Sequence, residues 1–129
     1  MIPTGKGIIC VVDDDVSILK ALVRLLRATG FEAVSFENPG LFLEYAKDYS
    51  MSLAIVDLRM PELSGLEVQR ALYNIAPEVA VIIITGDESA ADRNVALAQG
   101  AIAFLLKPIR DSELLDAISK AWCKPPTSP

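Results

Sequence analysis

The chain has 129 residues, 52% of them apolar in the broad sense and 22% charged, with seven Gly, eight Pro, two Cys and no His. That is one domain's worth of chain, able to bury about two thirds of the surface its unfolded form exposes without disulfides or metal. The missing imidazole excludes Ser-His-Asp and Cys-His catalysis and most catalytic zinc sites, and a formal net charge of −5 sets the domain against phosphate backbones and anionic membranes.

Residues 1–7, polar and broken by Pro3, Gly5 and Gly7, read as an extended or disordered lead-in and not as a secretory signal. Ile8 to Val12 is a short, continuous Val/Ile-rich run, the pattern of a strand buried on both faces. Asp13-Asp14-Asp15 follows. Asp15 is placed to cap a helix in which Ile18, Leu22, Leu25 and Leu26 share one face and which Gly30 stops. Phe31 to Phe36 is a weaker, mixed run that fits a strand nearer an edge.

Asn38-Pro39 reads as N-cap and first residue of a helix through Lys47. Leu53 to Val56 is a third strand, and Ser64 with Glu67 forms a capping box opening a helix through about Leu72. Val79 to Ile84 is a fourth strand, and Ala90 to Gln99 a fourth helix ended by Gly100. Ala101 to Leu106 is a fifth strand, again read as buried on both faces. Asp111 or Ser112 caps a last helix whose buried stripe is Leu114, Leu115, Ile118 and Trp122. Strand then helix, five times over, predicts a doubly wound parallel α/β sheet with five helices on its two faces.

The domain is expected over residues 8–123, with the Pro-rich stretch 124–129 as a linker or tail. Cys10 and Cys123 lack CxxC spacing and read as a buried small hydrophobe and a helix-end residue. The longest apolar runs fall well short of the roughly 18 residues of a membrane span, so a cytoplasmic protein is expected.

Functional crevices in open parallel sheets lie beyond the carboxyl ends of the strands. Here the first strand ends in Asp13-Asp14-Asp15, the third in Asp57, the fourth in Thr85 and the fifth in Lys107. Turn or cap chemistry explains any one of these alone; together they point to a hard cation and a phosphoryl group. Carboxylates suit Mg²⁺, with Mn²⁺ satisfying the same ligands, and the charges of Asp13, Asp14 and Asp57 are balanced by Mg²⁺ and Lys107. Such a site brings a phosphoryl donor against one carboxylate, with Lys107 and the Thr85 hydroxyl on the equatorial oxygens. Asp57 stands alone on its strand end and is the natural acceptor; Asp13 and Asp14 are better suited to holding the ion.

Asp13-Asp14, Asp57 within Val56-Asp57-Leu58-Arg59-Met60-Pro61, Ser64-Gly65, Thr85-Gly86 and Lys107-Pro108 resemble, in order and spacing, the response-regulator receiver domain of two-component signalling. The resemblance covers about Ile8 to Trp122, and the longer motifs look closest to receivers of FixJ/NarL-type transcriptional regulators. It implies the CheY-like, flavodoxin-like strand order 2-1-3-4-5. It also implies that Asp57 takes a phosphoryl group from a sensor histidine kinase or phosphotransfer protein, with Asp13, Asp14 and the backbone carbonyl of Arg59 helping to hold Mg²⁺. Thr85 then moves toward the phosphoryl group, and Phe104, which equally fits a plain core aromatic, changes rotamer. The Lys107-Pro108 bond is expected to be cis. A partner or dimer face is expected on the fourth helix, fifth strand and fifth helix. Direct nucleic-acid and membrane partners are not expected, and the helix-turn-helix output domain that usually follows such receivers is not in this sequence.

Arg59 and Asp87 lie two residues beyond Asp57 and Thr85, and a pair between them would sit at the site mouth and govern the lifetime of the phosphate. Two other readings compete. Asp13-Asp14-Asp15-Val16 also satisfies the nucleophile motif of haloacid-dehalogenase-like phosphatases, with Asp13 as nucleophile and Asp15 as acid/base, although no acidic pair follows Lys107 and Asp57 is left idle. A pseudo-receiver, a binding module that is never phosphorylated, normally loses one of the residues kept here.

Overall fold

A computed structural model describes residues 7–87 and 89–122. The expectations for residues 1–6, for Cys123 and for the tail 124–129 lie outside the described residues, as does the side chain of Trp122. The elements are β1 (Ile8–Val12), α1 (Val16–Ala28), β2 (Glu32–Phe36), α2 (Pro39–Asp48), β3 (Leu53–Asp57), α3 (Gly65–Ile75), β4 (Ala80–Thr85), α4 (Ala90–Ala98), β5 (Ala103–Leu106) and α5 (Asp111–Trp122). The strands pair in parallel in the order β2-β1-β3-β4-β5.

Alternation along the three central strands divides the core into two layers. Cys10, Val12, Ala54, Val56, Val81 and Ile83 face α2, α3 and α4, meeting Phe42, Ala46, Val68, Leu72 and Ala96. Ile9, Val11, Leu53, Ile55, Ile82 and Ile84 face α1 and α5, meeting Leu19, Leu22, Leu26, Leu114, Ala117 and Ile118. Helices on both faces leave no solvated side, which is why these strands read as unbroken apolar runs. Truncating a fully buried member such as Ile83 to Ala would cost about 2–5 kcal/mol. Burial also pushes the Cys10 thiol up to about 12, so it packs as a small hydrophobe.

Local sequence rules account for most element ends. Asp15 caps α1, its carboxylate accepting from the amides of Ser17 and Ile18. Gly30, at φ 97°, ends α1 with Phe31 N donating to Leu26 O and Gly30 N to Arg27 O. Asn38 caps α2 with Pro39 as its first residue, and the Ser64–Glu67 capping box opens α3.

Four expectations need correction. In α1, Leu19 joins Leu22 and Leu26 as the buried stripe, while Ile18 and Leu25 flank it half-buried. Helix α3 runs to Ile75, because nothing in Tyr73-Asn74-Ile75 stops a helix before Pro77. Asp111 is the first residue inside α5, not its cap; Leu114 N bonds the carbonyl of Arg110, and Asp111 contributes charge to the first turn. Strand β5 is an edge strand with Leu106 exposed, so its apolar run does not mean burial on both faces.

The ladder continues past the strand ends and carries the polar residues with it. Asp13 N donates to Phe36 O (3.1 Å), Leu58 N to Ile84 O (2.8 Å) and Lys107 N to Thr85 O (2.7 Å). Helix α3 starts hard against this edge: a Cβ on Gly65 would lie 2.5 Å from the carbonyl oxygen of Asp57 and 2.9 Å from the Cα of Leu58. Gly65→Ala must therefore displace α3 or the end of β3. Urea unfolding should show a loss of about 1–3 kcal/mol.

Candidate functional site

The carboxyl edge of the sheet gathers Asp13, Asp57 and Lys107. Asp13 is fully buried, and its Oδ1 accepts from Asp15 N at 2.9 Å, tightening the turn after β1. Asp57 ends β3 and is almost fully buried. Lys107 follows β5 and reaches back between them, its Nζ 2.9 Å from Asp13 Oδ2 and 3.1 Å from Asp57 Oδ1. The Lys107–Pro108 peptide is cis, as expected. Asp14 stands exposed at the rim, and Asp13, Asp14 and Asp57 each present an oxygen within 4.8 Å of the others.

Three carboxylates against one ammonium leave a net negative pocket. The Asp57 carboxyl is raised above its ordinary value by burial first and then by the Asp13 charge; Lys107 pulls it part of the way back, and Asp14 adds a further push upward. Burial draws Lys107 down, but the Asp13 and Asp57 carboxylates outweigh it and leave the ammonium raised, so it stays charged at neutral pH. Asp13 Oδ2 is fully buried and, although an ion pair by distance, receives no directed hydrogen bond. A buried lone pair without a directed donor, beside two more carboxylates, is the donor set a hard divalent cation requires.

Thr85 is the last residue of β4 and fully buried, not a turn residue. Its hydroxyl faces the following turn, accepting from Asp87 N at 3.1 Å and donating to Asp87 O at 3.3 Å. Arg59 and Asp87 do meet, Nε to Oδ2 at 3.5 Å, but the shorter contact of Arg59 is Nη2 to Asp92 Oδ2 at 2.9 Å. Sequence reasoning missed Asp92: it lies in the first turn of α4, where an acidic residue is already explained by the helix dipole. Phe104 is buried in the layer beneath α2–α4. Asp15 spends one carboxylate oxygen on the cap of α1, the group that a dehalogenase-like phosphatase would use as its acid/base. A groove of about 600 Å³ along α1 and β2, lined by Val16, Lys20 and Arg24 among others, includes none of the site residues.

A five-stranded parallel sheet in this order, with a buried, lysine-bridged carboxylate pair at its carboxyl edge, defines an α/β domain of the receiver class. Residues 9–119 match the response regulator receiver domain, and the chain belongs to that family. It is 37% identical over 116 residues to the response regulator protein TmoT of Ectopseudomonas mendocina, covering 90% of this chain and 53% of that protein. With the transcriptional regulatory protein FixJ of Rhizobium meliloti it shares 32% over 111 residues, covering 86% and 54%. A response regulator protein from Burkholderia pseudomallei, solved with a phosphorylated aspartic acid, calcium ion and citrate, superposes with a TM-score of 0.82 at 26% identity, over 90% of this chain and 69% of that one. The chain thus spans about half the length of the curated relatives it matches. Among the described residues no helix is long and apolar enough to cross a membrane.

The raised Asp57 carboxyl has a consequence for stability. The folded state holds this proton more tightly than the unfolded state, so the ionised side chain costs stability above its raised value, and the cost disappears as pH falls below the ordinary range near about 3.9. Asp57→Asn should therefore melt a few degrees higher than the parent at pH 7 without divalent ions, the difference shrinking as the pH is lowered, as read by thermal circular dichroism.

Proposed function

We propose that Asp57 is the phosphoacceptor of this receiver, charged by a sensor histidine kinase or phosphotransfer protein in a Mg²⁺-dependent reaction. The observation that carries this reading is the lysine bridge: Lys107 Nζ holds Asp57 Oδ1 at 3.1 Å with Asp13 as its other partner. One Asp57 oxygen forms the new P–O bond while the donor's P–N bond breaks and the imidazole leaves. Lys107 then meets negative charge on the transferred oxygens as it now meets it on the carboxylate. Asp13, Asp14, Asp57 and the carbonyl of Arg59 would hold Mg²⁺, or Mn²⁺ in its place. Bound there, the cation would neutralise the carboxylates and the phosphoryl oxygens.

Thr85 and Phe104 are the switch residues in this proposal. Among the described residues the Thr85 hydroxyl is bonded only within its own turn, so turning to a phosphoryl oxygen exchanges those bonds for a charge-assisted one. The responding surface is α4, β5 and α5, where Val95, Leu97 and Leu106 are exposed, and a second copy of the chain is the partner we assign to it. The unit acts as residues 8–123, in a cytoplasmic setting, and its effect on transcription would run through an output domain. Arg59 and Asp87, which stand together at the mouth of the site, screen the acyl phosphate from water.

Incubation with acetyl phosphate and Mg²⁺ should add one phosphoryl group by intact mass, absent in Asp57→Asn and without Mg²⁺. Modification surviving in Asp57→Asn but lost in Asp13→Asn would favour the phosphatase chemistry, and no Mg²⁺-dependent modification at all would favour the pseudo-receiver. Arg59→Ala should lose its phosphate roughly two- to fivefold faster than the parent, on the scale of one exposed ion pair. An unchanged rate with normal phosphorylation would refute the screening role.

A further inference from the structure

Helix α4 is the least embedded helix of the fold, with Ala96 its one buried side chain. Its two ends are attached differently. Toward the C-terminal end, Gln69 of α3, itself 3% exposed, donates from Nε2 to the carbonyl of Ala96 at 3.0 Å. Gln99 donates to Gln69 Oε1 at 2.8 Å and to Leu66 O at 3.4 Å, and accepts from Arg70 Nε at 3.3 Å. That is a partly buried, mutually satisfied amide network, and it pins this end to α3. Toward the N-terminal end the tether is an ion pair open to water: Asp92 Oδ2 to Arg59 Nη2 at 2.9 Å, with the Arg59 side chain 56% exposed.

The tether is continuous with the site. Thr85 Oγ1 is bonded to the amide and carbonyl of Asp87, the Asp87 carboxylate lies 3.5 Å from Arg59 Nε, and Arg59 Nη2 holds Asp92. We propose that Arg59 is a coupling residue that holds the first turn of α4 while the Thr85 hydroxyl rests on Asp87 and releases it when Asp57 is phosphorylated. This rests on the phosphoacceptor reading of Asp57. A phosphoryl group there places a dianion two residues from a guanidinium, and the single charge of Lys107, shared with Asp13, does not balance it. A planar guanidinium favours phosphate oxygens over a single carboxylate oxygen, and the half-exposed pair with Asp92 is the weaker competitor. Once Thr85 leaves Asp87, the turn that holds the Asp87 carboxylate against Arg59 also loses its two bonds. Helix α4 then turns about its pinned Gln69 end, giving the coupling a discrete two-state element.

Amide exchange on the full chain, with and without Mg²⁺ and beryllofluoride, tests this. The reporting amides are those of Asp92 and Arg93, bonded to Ser89 Oγ and Ser89 O. Without beryllofluoride, Asp92→Asn should speed their exchange roughly two- to fivefold and leave the amides near Gln99 unchanged. Arg59→Ala, which keeps the Asp92 charge on the helix dipole, should do the same, and the double variant no more than either. Beryllofluoride should raise the parent to the level of the variants and raise Asp92→Asn no further. Parent-like exchange in either variant, additive effects in the double, or protection of these amides by beryllofluoride would each overturn the proposal. Native mass on the same samples reports whether the adduct forms. Its absence from the parent refutes the acceptor reading and the release step with it, while the samples without beryllofluoride still decide whether Arg59 tethers α4.

Discussion

One ammonium group between two buried carboxylates is the constraint on which the site depends. Lys107 contacts Asp13 and Asp57 from the far side of the sheet, so three strand ends share a single electrostatic contact. Neither carboxylate could be buried at this depth without it, because an unpaired buried charge costs several kcal/mol. The contact is also insufficient: one cation cannot neutralise Asp13, Asp14 and Asp57. The remaining imbalance appears as the raised Asp57 carboxyl and as the Asp13 oxygen that receives no directed hydrogen bond. A site left short of positive charge is one that binds a cation readily.

The fold pays for this arrangement with an apolar sheet. Ile9, Val12, Ile55 and Ile83 are fully buried, and their strands align the last residues of β1, β3 and β4 to a common edge through paired register. Gly65 allows α3 to begin against the backbone of Asp57, which fixes that residue from behind as Lys107 fixes it from the front. The position of Asp57 is therefore set by backbone packing and by charge, two effects with different dependence on salt and pH.

Much of this was legible in the chain. The buried central strands announce themselves as Val/Ile runs, the polar residues at their ends need no periodicity to be noticed, and caps such as Asn38-Pro39 and Ser64–Glu67 are local enough to read directly. What escaped was long-range. The meeting of Asp92 with Arg59 spans 33 residues and has no signature beyond an acidic first turn. The buried Gln69 looks like any polar position on an amphipathic helix until Ala96 and Gln99 arrive beside it. The exposure of Leu106 follows from the place of β5 at the sheet edge, and an apolar run does not record whether a helix covers it. The start of α5 at Asp111 was ambiguous for a local reason, since Asp111 and Ser112 are both acceptable caps.

The buried thiol of Cys10 acquires a use of its own. It sits at the middle of a central strand, flanked by β2 and β3, with its proton held far above neutral pH. A thiol reagent can reach it only when the helical layer packed on that face of the sheet lifts away, so its alkylation rate measures opening of the core and is blind to motions confined to the loops. The protein thus carries an internal clock for the opening of its core, read at a position away from the carboxyl edge of the sheet.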